Sequence, residues 1–177
     1  MKLPYRVRQV IYYTRTDRQE PPSLPPDVRP LLNDAMESQF RLLSSGDQRH
    51  LLRVYRYLKA HDAAADTTTA GLLHDVGKAC RKCRINVIDR CLHVFCKRFL
   101  PAPYRLFASS DAPAGFLLGV HRLANHAQRG AEAARQAGYN DRVQWLIEHH
   151  ESGGDPDDVE LRILRYADDN AGTGFDA

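Results

Sequence analysis

Apolar positions recur along most of this chain in steps of three and four, the spacing of helix faces rather than of strands. Leu31, Leu32, Met36, Phe40 and Leu43 predict one helix over 29–44. Ser45-Gly46-Asp47 interrupts it, and Asp47 is placed to cap the next helix, whose stripe is Leu51, Tyr55 and Leu58. His50 adjoins that stripe and shares its side with Val54. A further helix, capped by Asp66 or Thr67, carries Leu72 and Leu73 and ends near Gly77. The clearest amphipathic pattern spans 84–100, where Ile85, Ile88, Leu92, Phe95 and Phe99 repeat until Pro101 and Pro103 stop it. Three C-terminal helices follow. One runs from about His126 to Ala137, with Gly138 at C′. One starts at Asp141 and carries Val143, Leu146, Ile147 and His150. The last starts near Asp157 or Asp158 and sets Leu161, Leu164 and Asp168 on one face.

These elements predict an all-α protein, a single helical bundle over 29–170. Residues 1–28 read as an N-terminal accessory segment and connector: Val7, Val10 and Ile11 suggest a short helix, although Tyr5 and Val7 also fit alternation. The connector proper is the proline-rich stretch PPSLPPDVRP, and residues 171–177 read as a frayed tail. A length of 177 residues suits one domain with a real core. A formal charge of +3 is too small to argue for a stable nucleic-acid complex. The opening MKLPYRVRQV lacks the apolar core of a secretory signal, and no run is long enough to span a bilayer, so the expected location is the cytoplasm.

Cys80, Cys83, Cys91 and Cys96 fall close together. Cys80-x-x-Cys83 invites a zinc or redox reading, and the preferred one is reduced thiols on a helix, some of them buried.

Polar groups on apolar faces change the picture. Asp168 is in phase with Leu161 and Leu164, which also favours it over Asp169. His150 follows Leu146 by four and Ile147 by three, and Asp75 follows two leucines. An inward carboxylate is costly unless paired or metal-bound. In Leu72-Leu73-His74-Asp75-Val76-Gly77-Lys78 the imidazole and carboxylate can share one metal ion, and the second carboxylate oxygen can reach another. Lys78 offers a point charge to an anion. Taken singly, His50, His126 and Asp168 are ordinary residues, and His61-Asp62, with no apolar wall, reads as a solvated helix end.

The set His50, His74-Asp75, His126, His149-His150 and Asp168 resembles the HD-domain superfamily of metal-dependent phosphohydrolases, over roughly residues 46–170. The late His-His-Glu and the histidine ahead of Gly130-Ala131-Glu132 are most similar to the HD-GYP branch and to oxygenases on the same scaffold. Two departures stand out. Glu151-Ser152-Gly153-Gly154-Asp155-Pro156 replaces the Gly-Tyr-Pro signature, and Gly46 stands where some members place a glutamate.

The resemblance implies two divalent cations, iron or manganese foremost, with zinc, magnesium, nickel or cobalt as alternatives. His50, His74, Asp75 and Asp168 would hold one ion, and Asp75 with His126, His150 and His149 the other. It implies hydrolysis of a phosphate mono- or diester, nucleotide-like, with Asp75 and Lys78 as catalytic residues and Lys78 on the substrate phosphate. His121 is the candidate to line a substrate pocket, against a plain surface position, and His93 reads as structural. A di-iron oxygenase and a non-catalytic metal- or nucleotide-binding module are the alternatives.

Arg81, Lys82, Arg84, Arg90, Lys97, Arg98 and Arg105 face Asp89 as the lone acid in their stretch. Three readings stand: a solvated face, a phosphate-attracting rim, or weak contact of 84–107 with an anionic membrane surface.

Overall fold

The computed structural model describes residues 15–17, 19–113 and 115–171. They form an all-α bundle, with no strand among the described residues. The expected helix at 4–15 and the tail at 172–177 lie outside the described residues, apart from Arg15.

The first predicted helix is shorter than its apolar pattern. Arg29–Leu31 is a 3-10 turn, and α1 is Asp34–Arg41, capped by the Asn33 side chain, which accepts from the Met36 amide. Helix α2, Ser45–Ala60, begins before the expected break: Ser44 is its cap and accepts from the Asp47 amide at 3.1 Å. Asp47 is thus inside the first turn and is not the cap. Helix α3, Ala65–Leu73, has no side-chain cap, and Asp66 instead accepts from Asn140. A 3-10 turn, Val76–Lys78, follows it. A Cβ built on Gly77 would overlap the His126 carbonyl oxygen and lie 2.6 Å from the Gly130 nitrogen. Only glycine lets this turn rest on the backbone of α7, His126–Gln136.

Helix α4, Val87–Phe99, starts three residues later than the periodicity suggests, at a capping box made by Asn86 and Asp89. Pro101 does more than end it. With φ preset for a first turn, it opens α5, Pro101–Ala108, which apolar spacing had not marked. A short α6, Leu118–Ala124, was likewise not anticipated. Helix α8 is Asp141–His149, capped by Asn140, and α9 is Val159–Ala171. Gly138, at φ 81°, ends α7 as expected.

One apolar core joins α1, α2, α3, α7, α8 and α9; Phe40, Leu58, Leu72, Leu146 and Leu164 are fully enclosed in it. The proline-rich connector is not a free linker, because Leu24 and Val28 are part of the same core. Helices α4, α5 and α6 contribute nothing to that cluster.

Helix α4 is docked by its polar side. Asp89 and His93 are buried, whereas Ile88, Phe95 and Phe99 are 76%, 53% and 64% exposed. Arg90 pairs with Asp47 at 2.6 Å, and Lys97 with Glu151 at 3.0 Å. The Tyr104 hydroxyl lies 2.6 Å from His93 Nδ1. Burial pushes the His93 imidazole down to about 4, so the ring that shares this hydrogen bond is neutral. Of the predicted stripe, Ile88, Phe95 and Phe99 thus face outward, Leu92 is half-buried, and Ile85, ahead of the helix, is buried.

Cys80 and Cys83 do not lie on a helix. They sit in the irregular stretch before α4, paired as a disulfide with Cα atoms 5.5 Å apart. Cys91 and Cys96 are free thiols on α4.

Candidate metal centre

Five helices carry the site. The α2 turn brings His50, the end of α3 brings His74 and Asp75, and the facing ends of α7, α8 and α9 bring His126, His150 and Asp168. Arg165 of α9 fixes the last of these junctions. Its guanidinium donates to the carbonyls of His149 at 2.7 Å, His150 at 3.1 Å and Gly153 at 2.6 Å, satisfying the end of α8.

Backbone hydrogen bonds set the tautomers. Nδ1 of His74 lies 2.9 Å from the Gly71 carbonyl, that of His126 2.7 Å from Leu123, and that of His150 2.7 Å from Ile147. A carbonyl only accepts, so each Nδ1 carries a proton and donates. In the neutral ring, Nε2 is then a lone pair aimed at the centre.

The Nε2 atoms converge. His126 Nε2 and His150 Nε2 are 3.2 Å apart, as are His50 Nε2 and His74 Nε2. Asp75 divides them: Oδ1 lies 3.3 Å from His126 Nε2 and 3.8 Å from His150 Nε2, while Oδ2 lies 3.7 Å from both His50 and His74. Asp168 Oδ1 is 3.0 Å from His50 and 3.5 Å from His74. Three overlapping groups have the composition and spacing for a cation: His50, His74, Asp75; His74, His150, Asp168; and Asp75, His126, His150. Donors each about 2.1 Å from a shared ion lie about 3 Å apart, so the separations fit. Histidine and carboxylate without thiolate suits iron, manganese or zinc.

The electrostatics show how much positive charge the cage calls for. Burial works against ionised Asp75, but Lys78 and His74 outweigh it and hold the carboxyl well below its ordinary range. Asp168 behaves alike, with His74 and His50 offsetting burial. For His74 burial opposes the charge, yet Asp75 and Asp168 push the imidazole up to about 9. Burial, with His74 and His126 adding to it, pushes His150 down to about 3. With protons as the only cations, one rests on His74. A metal ion has to displace it.

The remaining expected residues fall outside the cage. His149 follows α8 about 100° round from His150. Its ring stacks on Trp145 with centroids 4.6 Å apart, and Nδ1 donates to the Trp145 carbonyl at 2.8 Å, so it joins none of the three groups. His121 is buried but turned elsewhere, with Nε2 3.0 Å from the Ser110 carbonyl and its ring edge-on to Phe107. It ties α6 to the end of α5 and joins no ligand group. Lys78 is not a free point charge: its ammonium is bonded to Asp75 and lies 3.9 Å from Asp47 Oδ1.

Asp47 is the residue that sequence reasoning placed wrongly. It is buried beside Lys78, and Arg90 and Lys78 hold it ionised against the cost of burial. One turn before His50 it stands next to the cage, a position no periodic signal marks. A cavity of about 460 Å³ runs from Lys78 and Asp47 past Ser44, Arg81 and Arg84. Solvent reaches the cage at Asp168, whose side chain is 32% exposed.

No family model, curated protein or solved structure matches this chain.

Proposed function

We propose that this protein is a metal-dependent phosphohydrolase that cleaves a phosphate mono- or diester, nucleotide-like, with two divalent cations held across Asp75. The observation that carries the reading is the pair His126 and His150. Both rings donate through Nδ1 to carbonyls, so in their neutral forms two Nε2 lone pairs face each other across 3.2 Å in a buried pocket. Without a cation between them such an arrangement is repulsive.

His50, His74, Asp75 and Asp168 would hold one ion, and Asp75, His126 and His150 the other. A cation bound there would supply Lewis acidity toward phosphoryl oxygens and would lower the pKa of water toward neutrality. The chain's own residues do the rest. Gly71, Leu123 and Ile147 fix the imidazoles through their carbonyls. Lys78 holds Asp75 ionised and stands at the wall of the cavity, where Arg81 and Arg84 add positive charge for a phosphate group. These cations support a phosphate ester as substrate more than an uncharged one.

The test is metal analysis of protein purified without oxygen, together with turnover on phosphomonoesters and cyclic and linear phosphodiesters. Stoichiometric divalent metal and hydrolysis of one class are expected. Tightly bound iron with a mixed-valent signal and no hydrolysis of any ester would instead favour the oxygenase, and metal without turnover a binding module.

A further inference from the structure

Helix α4 carries the observation that the cage does not use. Its inner face is polar and clamps onto the bundle through Arg90–Asp47 and Lys97–Glu151. Its outer face is apolar. Ile88, Phe95 and Phe99 stand at i, i+7 and i+11, all more than half exposed, with the Phe95 and Phe99 rings 5.0 Å apart. An outward apolar stripe costs free energy unless something covers it.

The surrounding charge says what kind of surface that is. From 79 to 110 the one acidic residue is Asp89, which is buried and occupied in the capping box. Arg98 and Arg105 are exposed, the Arg98 guanidinium lies 5.7 Å from the Phe99 ring centre, and Arg81, Lys82 and Arg84 line the cavity beside Lys78. A second copy brought face to face would set these cations against themselves with no carboxylate to answer them. An apolar stripe flanked by basic residues is the composition of helices that lie in the headgroup region of anionic bilayers.

We propose that the outer face of α4, with Arg98 on the same helix and exposed Arg105 on the following one, docks this protein on an anionic lipid surface. The rings enter the acyl boundary and the guanidinium groups stay at the phosphates. The polar clamps of α4 then join the lipid-facing surface to the wall of the cage. This inference does not depend on the reaction proposed above.

Vesicle flotation of the full chain tests it, with phosphatidylcholine vesicles compared with phosphatidylcholine–phosphatidylglycerol vesicles. Binding to the anionic vesicles alone is expected, weakening as salt rises. Replacing Arg98 and Arg105 with glutamine should lower partitioning about 25-fold, at about fivefold for each cation removed. The pair Phe95→Ser and Phe99→Ser should lower it at least about 100-fold, near tenfold for each ring. All four positions point to solvent, so both double variants should keep the wild-type circular dichroism and metal content. Several outcomes would overturn the proposal: no flotation with anionic vesicles, equal flotation with neutral ones, or full binding by the double serine variant. Two others would do the same, namely a concentration-dependent dimer that the serine variant abolishes, or binding of an acidic amphipathic peptide with no binding of vesicles.

Discussion

Helices α8 and α4 are built from similar periodic patterns and used in opposite ways. In α8 the apolar stripe of Val143, Leu146 and Ile147 is buried, and His150 continues it into the cage. In α4 the apolar stripe faces out, and the side that meets the protein carries Asp89, Arg90, His93 and Lys97. The difference teaches that periodicity identifies a face and not its direction. Direction is set by the partners available to the polar side. Buried Asp47 needs a cation and finds Arg90, and Glu151 at the rim finds Lys97. Once those bonds form, the opposite face of α4 has nowhere to go but solvent or a second phase.

The comparison can be broken most severely at its shared point, the cage. Asp75→Ala removes both carboxylate oxygens that divide the imidazoles and is expected to abolish metal content by elemental analysis, together with any hydrolase activity. Retained metal would end the bridging role. Leu164→Ala, in the enclosed core, should cost about 2–5 kcal/mol in urea unfolding. Asp47→Asn neutralises the carboxylate of the buried Arg90–Asp47 pair and should cost at least about 1 kcal/mol. That loss should appear as faster hydrogen exchange in α4 while the core turns of α9 stay protected.

A smaller effect comes from pH. Unfolded His93 binds its proton near 6.5, and docked His93 only near 4. Its native pKa is depressed, so the stability it supports is complete above about 6.5 and is lost as pH falls toward 4. Exchange in α4 should therefore rise across that window ahead of exchange in the Leu161–Leu164 turn of α9. The smallest expected effect is the most pointed. Ile88→Ala removes a large apolar side chain from the outer stripe and should change stability by less than about 0.5 kcal/mol. A loss resembling that of Leu164→Ala would show that the stripe is buried in solution.

The bundle was legible because its helices bury whole stripes: Leu51, Tyr55, Leu58, Leu161 and Leu164 all point where their spacing says. The convergence of His50 and Asp168 on His74 was also foreseen, through their phase with apolar neighbours and through the HD-like pattern. What failed had physical causes. Adjacent positions on a helix diverge, so His149 and His150 could not both face inward. Pro101 was read as a stop when it also starts a helix. Asp47 and Arg165 act through tertiary pairing, which leaves no local trace in composition or period.

The contact between Gly77 and the start of α7 has one more consequence. The chain departs from the bundle just after this glycine and returns at His126, so the span carrying α4, α5 and α6 begins and ends at a single point. A segment tethered in this way is a cassette. It can be lengthened, shortened or exchanged without stretching the frame that holds the histidines. Changes of length are best confined to the irregular stretches of this span, where the Arg90–Asp47 pair can be kept.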